Sequence, residues 1–189
     1  MSHFTVVYDA CVLYPAPLRD LLMHLAVLDL YRAKWTDLIH DEWIKSLLED
    51  RPDLDAKQLH RTRELMNSNV RDCLVTDFES LITALELPDE NDRHVLAAAV
   101  RCGADVIVTF NLKDFPAERL ALYRIEALHP DEFLKYQLDL TPNIVCTAAK
   151  RHRASLKRIP KTVNEYLETL EAQGLVQTVS ELRKFAELI

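Results

Sequence analysis

Glycine is nearly missing from this chain: two residues in 189, Gly103 and Gly174. Loops that cradle phosphates, of the G-x-G-x-x-G or Walker A kind, need several glycines close together so that backbone N–H groups can approach the ligand. Their absence argues against a dinucleotide or nucleoside-triphosphate enzyme. Close cysteine pairs are missing too. Cys11, Cys73, Cys102 and Cys146 lie far apart, which argues against a thiolate zinc site and for reduced thiols. No apolar run nears the roughly 20 residues of a membrane helix. The opening "MSHFTVVYDACVLYP" has no basic leader ahead of a long apolar core. The expectation is a cytoplasmic protein without membrane attachment.

A general excess of positive charge is also lacking, since the net charge is −7. That disfavours nucleic-acid binding by the surface as a whole. The distribution is uneven, however. Residues 150–161, "KRHRASLKRIPK", hold six Lys or Arg and no acid, leaving 17 basic and 30 acidic side chains in the other 177 residues. A positive segment on a negative molecule is the asymmetry of a phosphate-binding patch. The alternative is a solvated helix face.

What is present reads as alternating strands and helices. "HFTVVYD" is a strand candidate ending at Asp9, and residues 15–33 place leucines at helical spacing. "KWT" is a short strand candidate, "DLIHDEWIKSLLEDR" and "DLDAKQLHRTRELMNSNV" are helices, and "DCLVTDF" is a third strand. "VLAAAVRCG" is a helix closed by Gly103, and "ADVIVTF" is a fourth strand, apolar without alternation as in a parallel sheet covered on both faces. "LYRIEAL" is a fifth strand, and "HPDEFLKYQL" closes the domain. From Thr141 onward only helices are expected. The order predicts an α/β fold: an open, mostly parallel sheet flanked by helices over 1–140, then a small all-α extension over 141–189.

Acids gather where such a sheet binds ligands, outside the carboxyl ends of its strands. Asp9 ends the first strand, and Thr109, Asn111 and Asp114 lie at or past the end of the fourth. Asp92 opens the helix leading into that strand. Glu42 borders the apolar face of its own helix. Converging oxygens of this kind suit Mg²⁺ or Mn²⁺. Each acid also has a plain explanation: Asp92 as an N-cap, Asp89 and Glu90 as first-turn acids, Glu42 as a surface residue, Asp114 as a turn residue. Asp9 resists one, because a carboxylate after "TVVY" is costly to bury without a partner.

With "VVYDACVLYP", "IHDEWIKSL", "DRHVLAAAV" and "VIVTFNLKDF" in order over residues 4–137, the chain resembles the PIN-domain ribonucleases, most of all VapC-type toxins of type II toxin–antitoxin systems with a helical C-terminal extension. The resemblance implies Asp9, Glu42 and Asp92 as catalytic metal ligands. The family's fourth aspartate is Asn111 here, leaving Asp114 as the remaining acid. Thr109 matches the family's hydroxyl residue. It further implies an Mg²⁺- or Mn²⁺-dependent endoribonuclease that leaves a 5′-phosphate and a 3′-hydroxyl. Arg93 either touches the scissile phosphate or pairs with a neighbouring acid. Lys150, Arg151, Arg153, Lys157, Arg158 and Lys161 would contact RNA phosphates. A cognate antitoxin and a homodimer follow from the same resemblance; the apolar helix faces near residues 18–31 are either an interface for dimerisation or a core face, which sequence does not separate. Two other readings are a PIN-fold RNA- or protein-binding module without activity, which Asn111 favours, and a haloacid-dehalogenase-like phosphatase, which Cys11 disfavours because that chemistry needs an aspartate there.

Overall fold

Thr5, Val6, Val7 and Tyr8 carry branched or aromatic side chains suited to a pleated strand, and all four are buried. They form β1 (Thr5–Tyr8) in the computed structural model, which describes residues 4–189; His3, expected at the head of this strand, lies outside them. Next come α1 (Ala10–Leu13), α2 (Ala16–Val27), β2 (Arg32–Lys34), α3 (Asp37–Asp50), α4 (Ala56–Asn69) and α5 (Glu79–Ile82). The chain continues through α6 (Arg93–Cys102), β3 (Val106–Val108), α7 (Ala117–Leu120), β4 (Glu126–Leu128) and α8 (Pro130–Leu140). It ends in α9 (Pro142–Ser155), α10 (Val163–Glu171) and α11 (Val176–Leu182). The class is α/β: four parallel strands in the order β2-β1-β3-β4, flanked by helices. Among the described residues no helix is long and apolar enough to cross a membrane.

The expected third strand, "DCLVTDF", does not form. Cys73–Val75 makes only an isolated bridge to Trp35, through Trp35 N–H to the Cys73 carbonyl and Val75 N–H to the Trp35 carbonyl, each 2.9 Å. Asp72 and Asp77 on either side take left-handed backbone, with φ of 52° and 58°, and this turns the chain away before a ladder can extend. The strand expected at "KWT" is centred slightly earlier, on Arg32–Lys34.

The chain divides into two compact units. One runs to Tyr14 and from Tyr31 to His129, and the other comprises Pro15–Leu30 and Pro130–Ile189. The division differs from the single boundary expected near 140. α8 packs with α9 and α11, and α2 packs with α9 and α10, so both belong to the helical unit. Leu18, Leu21, Leu22 and Leu25 of α2 are almost wholly buried there. Of the two readings open for the apolar face near 18–31, dimer interface or core, this leucine stripe takes the second: it is a core face. Asp131 of α8 accepts N–H bonds from Gln177 (2.9 Å) and Thr178 (2.8 Å), satisfying the start of α11.

In the sheet unit, a polar chain fixes α3. Trp43 Nε1–H donates to His40 Nδ1 (3.0 Å), so His40 carries its proton on Nε2 and donates it to Asn67 Oδ1 (3.0 Å). Asn67 Oδ1, on α4, also accepts from Trp35 Nε1 (2.8 Å). Burial holds His40 below its ordinary pKa, keeping this tautomer. Thr36 caps α3 by accepting from Ile39 N–H at 3.1 Å. Glu42 therefore rides on a helix held at its start and along its flank.

Candidate active site

Asp9 is the residue after β1, and its N–H still bonds the Val108 carbonyl at 3.1 Å; Thr109, just after β3, bonds the Leu128 carbonyl at 3.0 Å. Parallel pairing thus sets both at the carboxyl edge of the sheet. The Asp9 side chain is buried and needs partners. Thr109 Oγ1 donates to Asp9 Oδ2 at 2.7 Å, and Cys11 Sγ donates to the same oxygen at 3.0 Å. Both donors are themselves held. Asn111 N–H donates to Thr109 Oγ1 at 2.9 Å, and Phe110 N–H to Cys11 Sγ at 3.3 Å. Because Thr109 accepts from Asn111, its own hydroxyl proton is directed at Asp9. Burial raises the Asp9 pKa, the bonds from Thr109 and Cys11 pull it back, and the Glu42 charge raises it further. Burial and the Asp9 charge push the Cys11 thiol well up, so it stays protonated and remains a donor.

Asp92 is not a cap, contrary to the plain reading of its position. Its side chain makes no capping bond to α6, whereas Asp89 accepts from Asn91 N–H at 2.9 Å and caps the 3-10 turn Glu90–Asp92. Asp92 is half-buried, and its pKa rises from 3.8 to about 7. Burial is the largest cause, followed by the charges of Asp9, Asp89, Asp114 and Glu42. Asp92 is thus the point at which the separately predicted acids feel one another. Glu42 is more exposed than its place on the helix suggested, and its Oε2 pairs with His94 Nε2 at 3.2 Å. Asp114 ends the 3-10 turn Leu112–Asp114 and is partly buried, while Asn111 starts that turn with an exposed side chain.

Among the described residues, no group of three or more His, Cys, Asp or Glu side chains is placed to hold a metal ion. The donors nevertheless suit a hard divalent cation, being carboxylate oxygens whose mutual repulsion a positive charge would relieve. Mg²⁺ usually keeps several waters and takes one or two carboxylates, so an open arrangement fits it.

The basic residues divide. Arg93 pairs with Glu90 at 2.9 Å. Arg153 donates to the Lys161 carbonyl (3.0 Å) and the Ile189 carbonyl (3.1 Å), and Lys161 Nζ donates to Thr169 Oγ1, so both tie the helical unit together. Lys150, Arg151, Lys157 and Arg158 are exposed. Two participants escaped sequence reasoning: Cys11, two residues after Asp9, and His94, two residues after Asp92. Their polar identities beside proposed ligands were the available signal.

Residues 5–113 match the PIN domain family, and residues 130–184 match the VapC50 C-terminal domain. A Mycobacterium tuberculosis protein described as "Putative ribonuclease VapC50" is 69% identical over 49 residues, which is 26% of this chain and 29% of that protein. The alignment therefore spans under a third of the relative's length. No solved structure matches the chain. With the first match covering more than half of its length and the parallel sheet carrying Asp9 at its carboxyl edge, the chain belongs to the PIN domain family.

Proposed function

We propose that this protein is a metal-dependent endoribonuclease that hydrolyses RNA phosphodiester bonds as the toxin of a toxin–antitoxin pair. The observation that carries the reading is Asp9, buried at the carboxyl edge of the parallel sheet with its carboxylate held by Thr109 and Cys11, beside Asp92, on which the charges of Asp9, Asp114 and Glu42 all act. Asp9, Glu42 and Asp92 would hold Mg²⁺ or Mn²⁺, with Asp114 or the Asn111 amide as the remaining donor. When bound, the ion lowers the pKa of a water and neutralises charge building on the attacked phosphate. Asp9 contributes rigidity, because Thr109 and Cys11 fix its carboxylate before any ligand arrives. Glu42, on α3, and Asp92, in the turn before α6, would position or deprotonate the attacking water. Attack on phosphorus and departure of the 3′ oxygen leave a 5′-phosphate and a 3′-hydroxyl.

Acids repel RNA, so affinity must come from cations. Lys150, Arg151, Lys157 and Arg158 supply phosphate contacts in this reading. Arg153 and Lys161 are already engaged in holding the helical unit. A cognate antitoxin would restrain the activity by covering the acidic edge, with a basic side chain competing for the carboxylates. A cytoplasmic location and a homodimer belong to the same proposal. A second reading, an RNA- or protein-binding PIN module without activity, draws support from Asn111 in place of an acid and from the lack, among the described residues, of three acids grouped to hold a metal ion.

One experiment separates the two. Purified protein is incubated with end-labelled RNA and Mg²⁺ or Mn²⁺, with and without EDTA, beside Asp9→Asn. The nuclease reading expects cleavage that EDTA and Asp9→Asn both abolish, with 5′-phosphate product ends. Binding without cleavage under every cation would leave only the module.

A further inference from the structure

A cavity of about 240 Å³ opens between α1 and α3, lined by Ala10, Cys11, Tyr14, Glu42, Trp43 and Ser46. It adjoins the acidic edge at two points. Cys11 bonds the Asp9 carboxylate, and Glu42 is one of the acids that Asp92 senses. No lysine, arginine or histidine lines it, so nothing there favours a phosphate. Its Ala10 and Trp43 walls suit a flat, uncharged group.

The polar atoms in the lining are mostly acceptors. Tyr14 donates its hydroxyl proton to Asp50 Oδ2 at 2.7 Å, which anchors the ring and leaves a phenol lone pair open. Glu42 accepts only, while Ser46 can accept or donate. The Cys11 sulfur is fully engaged, donating to Asp9 and accepting from Phe110 N–H. An acceptor-rich pocket recognises N–H groups. Adenine, cytosine and guanine carry exocyclic amino groups, and uracil carries none.

We propose that this cavity is a base subsite, receiving the amino-bearing base of a nucleotide next to the scissile phosphate. The inference rests on the nuclease reading and adds to it a source of sequence preference within the sheet unit. Tyr14 offers an anchored ring edge or face to the base, and single-stranded RNA is read in this way, by stacking together with contacts to base edges. Ser46 and the Tyr14 phenol oxygen choose the base, and Glu42 marks the border with the reacting phosphate.

The test is cleavage of a random-sequence RNA pool with Mn²⁺ by the wild-type protein, Ser46→Trp and Tyr14→Phe, with the 5′ ends of the products sequenced. Circular dichroism checks folding, and Mn²⁺ binding is followed by electron paramagnetic resonance. Wild type should disfavour uracil at one position beside the cut by about fivefold, the factor of a single net hydrogen bond. Ser46→Trp, which fills the cavity, and Tyr14→Phe, which removes an acceptor but keeps the ring, should each reduce that bias while Mn²⁺ still binds. A wild type that cuts with no bias against uracil, or a Tyr14→Phe protein that keeps the full bias, overturns the subsite alone. A wild type that binds Mn²⁺ and cuts no RNA overturns the nuclease reading and the subsite with it.

Discussion

At the scale of single residues, Thr109 shows how one hydroxyl can orient a site. It accepts from Asn111 N–H and donates to Asp9, so its proton has one direction. Thr109→Val keeps the shape and removes both bonds, leaving the Asp9 carboxylate short of its nearest donor. The expected result is Mn²⁺ affinity weaker by about 10–100-fold, the usual loss when a residue orienting a metal ligand is removed. Titration calorimetry measures it, and unchanged affinity would deny Thr109 its orienting role. Asp92 gives the opposite trade. Its carboxyl is raised from 3.8 to about 7, so the stability it contributes is complete below pH 3.8 and is lost as pH rises through about 7. Asp92→Asn removes the repulsion. Without divalent cation it should melt about 2–4 °C higher than wild type at pH 8, corresponding to roughly 1 kcal/mol after solvent screening. At pH 4 the gap should close, and at pH 8 the variant should gain less from Mn²⁺ than wild type does. Equal melting temperatures at pH 8 would mean that the acids do not strain the fold.

At the scale of elements, the joint between α9 and α10 is built on a neutral histidine. His152 Nδ1 meets the Tyr166 hydroxyl at 3.0 Å, and His24 of α2 lies against its ring at 5.6 Å between centroids. Burial, and after it His24, lower the His152 pKa from 6.5 to about 4. The unfolded chain takes up this proton first, so the contribution to stability is complete above about pH 6.5 and is lost as pH falls towards 4. The loss should approach 3 kcal/mol. Circular-dichroism melts from pH 7 to pH 4 should show a falling midpoint that His152→Gln flattens, at the cost of lower stability at pH 7. A slope equally steep in the variant would assign the acid sensitivity to other groups. Elements with local signals were readable in the sequence. Four consecutive strand-favouring residues announce β1, and Gly103, at φ 62°, ends α6 where an L side chain would be strained. The missing strand at Cys73–Val75 was not readable, because pairing depends on a partner far along the chain and on the left-handed turns around it. The packing of α2 with helices more than a hundred residues later was hidden for the same reason. In the site, the acids and Thr109 could be named from their places at the ends of expected strands and helices and from the family resemblance. Asp92's freedom from capping, the His94–Glu42 pair and the diversion of Arg153 to carbonyls arise from tertiary contacts that no local pattern carries.

At the scale of the whole molecule, charge is sorted. The chain carries −7 overall, the candidate site is acidic, and four exposed cations, Lys150, Arg151, Lys157 and Arg158, stand within nine consecutive residues of the helical unit. If those four contact phosphates, RNA binding must depend on salt in proportion to their number. Each phosphate neutralised on a single strand contributes about −0.7 to the slope of log K against log salt, through release of condensed counterions. The Asp9→Asn protein, used to prevent cutting, should therefore bind single-stranded RNA with a slope near −3. Replacing one of the four by Ala should lower the magnitude by about 0.7 and weaken binding to all sequences alike, since phosphate contacts carry no base information. Arg153→Ala should behave differently, destabilising the helical unit by freeing the Lys161 and Ile189 carbonyls. Fluorescence anisotropy at four or five salt concentrations supplies the slopes. A slope that the Lys150, Arg151, Lys157 and Arg158 substitutions leave unchanged would move the RNA-binding surface elsewhere, whatever the acidic edge does.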